Sequence, residues 1–528
     1  MIKLIKTLLI VIVIAITLLV LLLENPNELK SEIAEIVSLN TPYRVSIKGD
    51  LAWRYWPPVA IQAEDVVLFA ADGSSLAQIE QLEIDVDLIP LLSRQNIIDV
   101  NSLELSGGQI DYKVNKLGNS NWTEPAAKET RQFKDFPPLP VIHQFKLNNV
   151  AVNYIAEHSY TIMINHIATS RLAMDSPFDI STFFEILDNE TKEKTKVEAT
   201  GQLIYASTNR MRFNRIASSI KLQEELQLNV RASGELHPIR KVILLNEVDI
   251  LYENLLASLT GIVNFAGEPL FDGELNLEST NLGELIDSTF PINDLQLRAG
   301  LTAAKEDFRL TDIEGQTEMA QFKGNLSFGG PDLLNLAGDL RFDELKLFES
   351  RASSQAPSYK KKPVNPEILP QALRTHRLDL ILRADKVSYD DFDFSMAKVE
   401  IKSDKNKLEI IANSRMLDGK LVASLDSDWL DSQLVVSVDR LDISTLTGSR
   451  TLTGNLTGHT DLIFKGTRLS DLEENLSGKT VLNVTEGSID VRPIKDLALT
   501  IDSLRGKPSR VTSWPDDMQF KKMSARHL

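Results

Sequence analysis

From Tyr43 onward apolar side chains recur at every second residue, and this rhythm limits what the chain can fold into more than any other feature. Gln81, Glu83, Asp85 and Asp87 alternate with Leu82, Ile84, Val86 and Leu88 without a break. Successive side chains of a strand point to opposite faces, so the aliphatics share one face and the acids the other. The same reading fits Leu103 and Leu105, followed by Ile110, Tyr112 and Val114 across a turn at Gly107 and Gly108. It also fits Leu275 with Leu277, Leu378 with Leu380 and Leu382, and Phe392 with Phe394. Asp418-Gly419 is a hairpin signal between two such runs, and Glu486-Gly487 sits in a similar place. Strand-plus-turn units of about 8–12 residues with little helical periodicity predict an antiparallel meander. The rhythm lasts for about 400 residues, too long for one small sandwich, so several sandwiches or one long curved sheet are the options. About 30 strands at roughly 4.8 Å spacing would give an elongated body of at most about 140 Å.

The N-terminus carries a different signal. Thr7 to Leu23 are 17 uncharged positions, dominated by Leu8, Leu9, Ile10, Val11, Ile12, Val13 and Ile14, then Leu18, Leu19, Val20, Leu21, Leu22 and Leu23. With the apolar residues between Lys3 and Lys6, a helix rising about 1.5 Å per residue can just cross a hydrocarbon core of roughly 30 Å. Lys3 and Lys6 precede the run and Glu24 follows it, which predicts a cytoplasmic N-terminus and an extracytoplasmic body. Leu21 to Pro26 offer no small-residue cleavage site, so the segment reads as an uncleaved anchor rather than a signal peptide. With no second run of comparable length, a multi-span channel or transporter is excluded. Asn25-Pro26 reads as a helix start, and Leu29, Ile33, Ile36 and Val37 predict a short amphipathic helix ending near Asn40.

Charge and chemistry narrow the function classes. Lys and Arg number 57 against 74 Asp and Glu, a net charge of −17, which argues against a nucleic-acid partner. The absence of cysteine removes disulfides, thiolate metal sites and thiol nucleophiles. His143, His158, His166, His237, His376, His459 and His527 are scattered without metal-ligand spacing. Gly478-Lys479-Thr480 resembles the end of a phosphate-binding loop, but Glu473 stands where the first glycine is required. Asp390, Asp391 and Asp393 lack the glycine and terminal glutamate of a calcium loop, and no GxSxG elbow occurs. The expectation is a non-enzyme with no catalytic residue, no metal and no cofactor.

Two stretches interrupt the strand rhythm: Glu124–Pro140 and Arg351–Pro370, both rich in Pro, Ala and charge and the second also in Ser. They set the expected organisation: an anchor over 1–23, a segment over 24–123, a linker over 124–140, a β-rich middle over 141–350, a second linker with a short helix over 351–376, and a β region over 377–528. The short helix is predicted from Glu367 to Thr375.

A sheet with one apolar face must bury it against another layer, against itself, or against an apolar ligand. Periodicity alone leaves a self-filled core and an open trough for lipid acyl chains equally admissible. The trough reading names Leu82, Ile84, Val86, Leu275, Leu277, Leu378, Leu380, Leu382, Leu408 and Ile410 as lipid-facing candidates.

The order of features resembles the AsmA family of inner-membrane-anchored periplasmic proteins of Gram-negative bacteria. The resemblance begins with the anchor and Asn25-Pro26, and continues through Ile47–Trp53, Trp56-Pro57-Pro58, Ala63–Leu68 and Asp87–Arg94. Leu103–Leu105, Gly108–Ile110 and Gly118–Trp122 follow in order. In the second half Pro366–Pro370, the strands from Leu378 to Leu425, Leu476–Lys479 and Glu486–Ile489 resemble the family's C-terminal region, whereas residues 140–350 match only in strand rhythm. The family's C-terminal region usually runs on through further strands, while this chain stops at Leu528 shortly after Trp514-Pro515, as a shortened member would. The resemblance implies a chorein-like N-terminal segment leading into a curved β-groove, related to bridge-like lipid transfer proteins. It also implies a role in outer-membrane biogenesis with phospholipid as partner and no catalytic residues. The competing expectation is an assembly factor whose sheet edges bind outer-membrane proteins.

Overall fold

The computed structural model describes residues 26–28, 30, 31, 34, 35 and 38, and from 43 to 527 all but 55–59, 71, 87–98, 116–119, 123–140, 157, 207–209, 223–225, 282–292, 306, 331–334, 348–368, 370, 390–391, 448–450 and 506–509. The anchor expected over Thr7–Leu23 lies outside the described residues. Among the described residues, no helix is long and apolar enough to cross a membrane. Of the amphipathic helix expected after it, Lys30, Ser31, Ala34, Glu35 and Ser38 are helical and follow a 3-10 turn at Pro26–Glu28. Leu29, Ile33, Ile36 and Val37 lie outside the described residues.

The chain forms two compact units, Met1–Ala266 and Gly267–Leu528. In the first, the strands are β1 (Arg44–Ile47), β2 (Leu51–Arg54), β3 (Ala60–Phe69), β4 (Ser75–Val86), β5 (Asp99–Lys113), β6 (Val141–Ile155), β7 (Ser159–Thr169), β8 (Pro177–Asp188), β9 (Lys194–Ala206), β10 (Arg210–Leu222), β11 (Leu226–His237), β12 (Val242–Tyr252) and β13 (Leu255–Asn264). β1 and β2 share one side of β3, and from β3 onward each strand pairs with the next. A hydrogen bond of 3.0 Å from the Leu51 amide to Asn27 Oδ1 ties the segment after the expected anchor to β2.

The second unit repeats the plan with β14 (Leu270–Asn281), β15 (Asn293–Ala303), β16 (Asp307–Gln316), β17 (Ala320–Gly329), β18 (Asn335–Leu347), β19 (Arg377–Tyr389), β20 (Phe392–Ser403), β21 (Leu408–Met416), β22 (Gly419–Ser427), β23 (Asp431–Asp442), β24 (Asn455–Lys465), β25 (Ser477–Asp490) and β26 (Asp517–His527). Its helices are short: α1 (Gln371–Thr375), α2 (Ile443–Thr447), α3 (Leu469–Asn475) and α4 (Arg492–Leu504). α1 starts only at Gln371, later than the expected Glu367, because a proline at 370 disfavours the helical conformation of the residue before it.

A mainly β fold with few short helices is therefore observed, but it is not wholly antiparallel. β5 pairs with β6, and β18 with β19, in parallel. Antiparallel neighbours can be joined by a tight turn, whereas parallel neighbours need a connection of about a dozen residues or more. The two Pro-rich stretches fall inside these two connections, so the segments expected to part domains return the chain to the same end of the sheet. The β18–β19 seam is crossed on its polar face by ion pairs: Arg341 with Asp385 at 2.9 Å, Arg383 with Asp339, and Lys386 with Glu344 at 3.2 Å. The hydrogen bond and charge of Asp385 raise the Arg341 guanidinium above its ordinary range, and Glu344 and then Asp393 do the same for Lys386. These side chains are exposed, so each pair contributes little. Arg341→Asp is expected to leave a thermal melt almost unchanged, and adding Asp385→Arg should recover what little is lost.

The second correction concerns Gly107-Gly108 and Glu486-Gly487. Neither is a hairpin turn: the first lies inside β5 and the second inside β25. Both are places where the backbone turns left-handed within a strand, Gly107 at φ 70° and Gly108 at φ 116°, Glu486 at φ 53°. Asn149, Arg215, Asp312, Met396 and Arg440 also have φ between 47° and 58°. At Arg215, Asp312, Met396 and Arg440 the register with a neighbouring strand shifts, the mark of a β-bulge. A Cβ on Gly108 would run into the Gln78 carbonyl, which is why only glycine fits there. Gly108→Val should lower stability by about 1–3 kcal/mol in urea, with amide exchange accelerating first across β4 and β5. Asp418-Gly419 is a true hairpin, with Leu417 at φ 46° and Asp418 at φ 63° between β21 and β22.

Candidate apolar track on one face of each unit

Each bulge inserts one residue, so apolar side chains separated by two positions along a strand become separated by three there and stay on the same face. Leu147 is followed by Val150, Phe213 by Ile216, Leu310 by Ile313, Phe394 by Ala397, and Val438 by Leu441. Val150, Ile313 and Leu441 are 0%, 1% and 4% exposed, whereas the bulged Met396 is 68% exposed. The apolar face thus runs the full length of strands whose alternation changes phase halfway.

Across the strands the register joins these residues into rows. In the first unit one row passes through Ala63, Leu82, Leu105, Leu147 and Ile167, and continues through Thr182, Ala199, Ser218, Val230, Ile250 and Ala257. A neighbouring row runs through Ile61, Ile84, Leu103 and Phe145. Val86 stands opposite Val100 beyond a register slip after Asp85.

In the second unit a row starts at Gly273 and passes through Leu301, Leu310, Leu326, Gly338, Leu380 and Ile401. It goes on through Ile410, Leu425, Leu434 and Leu462 to Gly478, touching every strand from β14 to β25. Leu382 belongs to the next row with Val399, Ala412, Ala423 and Val436. Leu275 faces Ala299, and Leu277 faces Leu297. Leu378 lies on a third row, with Leu408 two strands on.

Most of these side chains are neither buried nor exposed. Leu82, Ile84, Leu275, Leu277, Leu380, Leu382 and Ile410 are half-buried. Inward aliphatics pressed between two sheets would be closed off from water, so this face is covered by its own neighbours along the sheet and only partly from above. Leu408 differs: at 0% exposure it packs with Leu369, 3% exposed, and Trp429, 4% exposed, under Leu373 of α1. A second cluster of Met416, Leu441, Leu456 and Val484 gathers at the opposite strand ends beneath Ile443 and Leu446 of α2. From β20 onward the second unit is packed at both strand ends by these clusters and half-covered between them.

The alternation reading did not identify three features of this face. Trp429, at φ 74° with its indole N–H donating to the Asp404 carbonyl at 3.0 Å, closes one strand end from a turn. Tyr154 and Tyr160 join Tyr112, which the alternation did place, on the apolar face where β5, β6 and β7 meet, with ring centroids 5.8 Å and 6.2 Å apart. Tyr154 and Tyr160 flank the β6–β7 turn symmetrically, which the sequence could have revealed. Thr169, Thr182 and Ser218 place buried hydroxyl oxygens without a partner among the described residues, so the first unit's face is not purely aliphatic.

A concavity of about 630 Å³ lies elsewhere: Glu198, Thr200, Ser219, Arg231 and Asp249 surround it on the polar face of β9–β12. Among the described residues no three acidic or histidine side chains converge on a metal-sized site. Gly478, Lys479 and Thr480 are extended in β25 and pair with β24, so they form no phosphate loop. The chemistry this arrangement offers is non-covalent contact with apolar chains.

Fold and face together define an open-sheet protein that presents a long, half-covered aliphatic surface. Residues 1–168 match the family model described as the AsmA family. Protein AsmA of Escherichia coli (strain K12) is 34% identical over 104 residues, 20% of this chain and 16% of that protein. The likeness to the AsmA family is thus carried by residues 1–168, and the chain aligns with only 16% of its curated relative's length. No solved structure matches the chain.

Proposed function

We propose that the protein is a lipid-handling factor of outer-membrane biogenesis, held in the inner membrane by residues 1–23 with its body in the periplasm, and that phospholipid acyl chains lie along the aliphatic rows. The observation that carries this reading is the row from Gly273 to Gly478, which crosses twelve strands with leucine or isoleucine at nine of its positions while staying half-covered. Burying an acyl chain is favourable by about 0.8 kcal/mol per CH₂. Because neighbouring positions along a row are alike, a chain sliding along it meets no deep well, while the head group stays in water. Such a row would hold lipid without covalent chemistry and without setting a direction.

The test is photo-crosslinking in the full-length chain in cells labelled with radiophosphorus. A benzophenone side chain at Leu105 or Leu380 should capture phospholipid, and at Glu104 or Asp379, on the other face, it should not. Label at neither pair, with protein adducts instead, would remove lipid handling. The second reading, a scaffold for outer-membrane protein assembly, is favoured by β26, which pairs with β25 alone among the described residues and leaves its other edge open. Protein adducts from probes on β26 would support it.

A further inference from the structure

α4 is an amphipathic helix turned inside out. It has 13 residues, none buried. Ile494, Leu497, Ile501 and Leu504 recur at spacings of three and four, so they form one stripe, and they are 60%, 62%, 40% and 83% exposed. The opposite side meets the protein: Lys495 is only 17% exposed and pairs with Asp516 at 2.8 Å while donating to the Trp514 carbonyl at 2.8 Å. A helix in a globular domain turns its apolar stripe toward the core. Here Lys495, Ala498, Leu499 and Asp502 are the half-buried residues, and the longer apolar stripe is presented outward.

The charge beside it says what would cover that stripe. The chain carries −17 overall, yet Arg505, Lys507, Arg510, Lys521, Lys522 and Arg526 stand against only Asp516 and Asp517 between residues 505 and 528. Apolar and basic groups side by side suit the boundary between the acyl chains and the head groups of an anionic bilayer. We propose that α4, with the basic segment behind it, docks flat onto an anionic lipid surface. A helix of this length covers about 20 Å of that surface. The proposal does not depend on the track: it concerns a surface contact and holds whether or not the rows carry lipid.

The absence of cysteine permits a site-specific reporter in the full-length chain. Leu504→Cys, on the stripe, and Ser503→Cys, on the other side, are each labelled with nitrobenzoxadiazole, and the chain is held in phosphatidylcholine nanodiscs. Vesicles of equal parts phosphatidylglycerol and phosphatidylcholine are then added. The label at 504 should shift to the blue and brighten about twofold or more, the label at 503 should change little, and raised salt should weaken the response. Leu497→Asp and, separately, Ile494→Asp should abolish it with an unchanged circular dichroism spectrum, since both side chains are exposed. No response at 504, an equal response at 503, or persistence in both aspartate variants would overturn the proposal. So would a blue shift that follows protein concentration without vesicles, which would assign the stripe to a second copy of the chain.

Discussion

Phospholipid recovered with the full-length chain is expected to fall about tenfold or more when Leu380 becomes aspartate, and to stay near the wild-type level when Ile381 does. The two residues are neighbours in β19 and face opposite ways, so the pair separates an effect on the face from an effect on the strand. Leu380 sits midway along its row, between Gly338 and Ile401. A carboxylate there must either keep its water, which excludes an acyl chain from that step, or lose it at a cost of several kcal/mol. Either outcome exceeds the roughly 1.4 kcal/mol that makes a tenfold change in occupancy. Equal losses from Leu380→Asp and Ile381→Asp would mean that lipid reports only on folding.

The largest stability effects should come from the strand-end packing around Leu408 and Trp429, where no lipid is invoked. Leu408→Ala is expected to cost about 2–5 kcal/mol and Trp429→Ala about 3–5 kcal/mol, read as shifts of the urea midpoint. Leu408 is fully enclosed, so its removal leaves a cavity that the short α1 is poorly placed to fill. Trp429 also fastens its turn to Asp404 and donates its own amide N–H to Ser427 Oγ at 3.0 Å. Lipid bound per folded molecule should be unchanged by both. Loss of lipid without loss of stability would place Leu408 on the open part of the face after all.

Strand content and the identity of the apolar face were legible in the sequence because side-chain period two is set by backbone geometry alone. Leu82, Leu275 and Leu380 could be assigned to a face without knowing their neighbours. The bulges were not legible as bulges. Gly107-Gly108 and Glu486-Gly487 use the same left-handed residue preferences as tight turns, and only the pairing of Ile79 with Gly108 or of Gly487 with Phe520 shows the strand continuing. The parallel seams lay half-hidden as well. Their long connections were visible as breaks in composition, but a break between domains and a return crossover have the same composition, and only the register between Leu105 and Leu147 or Leu336 and Leu378 separates them. The half-covered state of the face was out of reach, since alternation is identical for a filled core and an open trough. The inverted stripe of α4 was unreadable for a similar reason: a helical pattern gives a stripe, not the direction in which the rest of the chain turns it.

Because each described strand from β14 to β26 pairs with the next one in the chain, length within the second unit is an additive property. Removing one complete hairpin, for example β16 with β17, would bring β15 against β18 in the same relative direction as β15 and β16, and shorten the rows by about 10 Å. A single deleted strand would instead set two like-directed strands side by side, which only a long crossover can join. Proteins built this way change reach in steps of two strands, and a family of them can vary widely in size while keeping one cross-section.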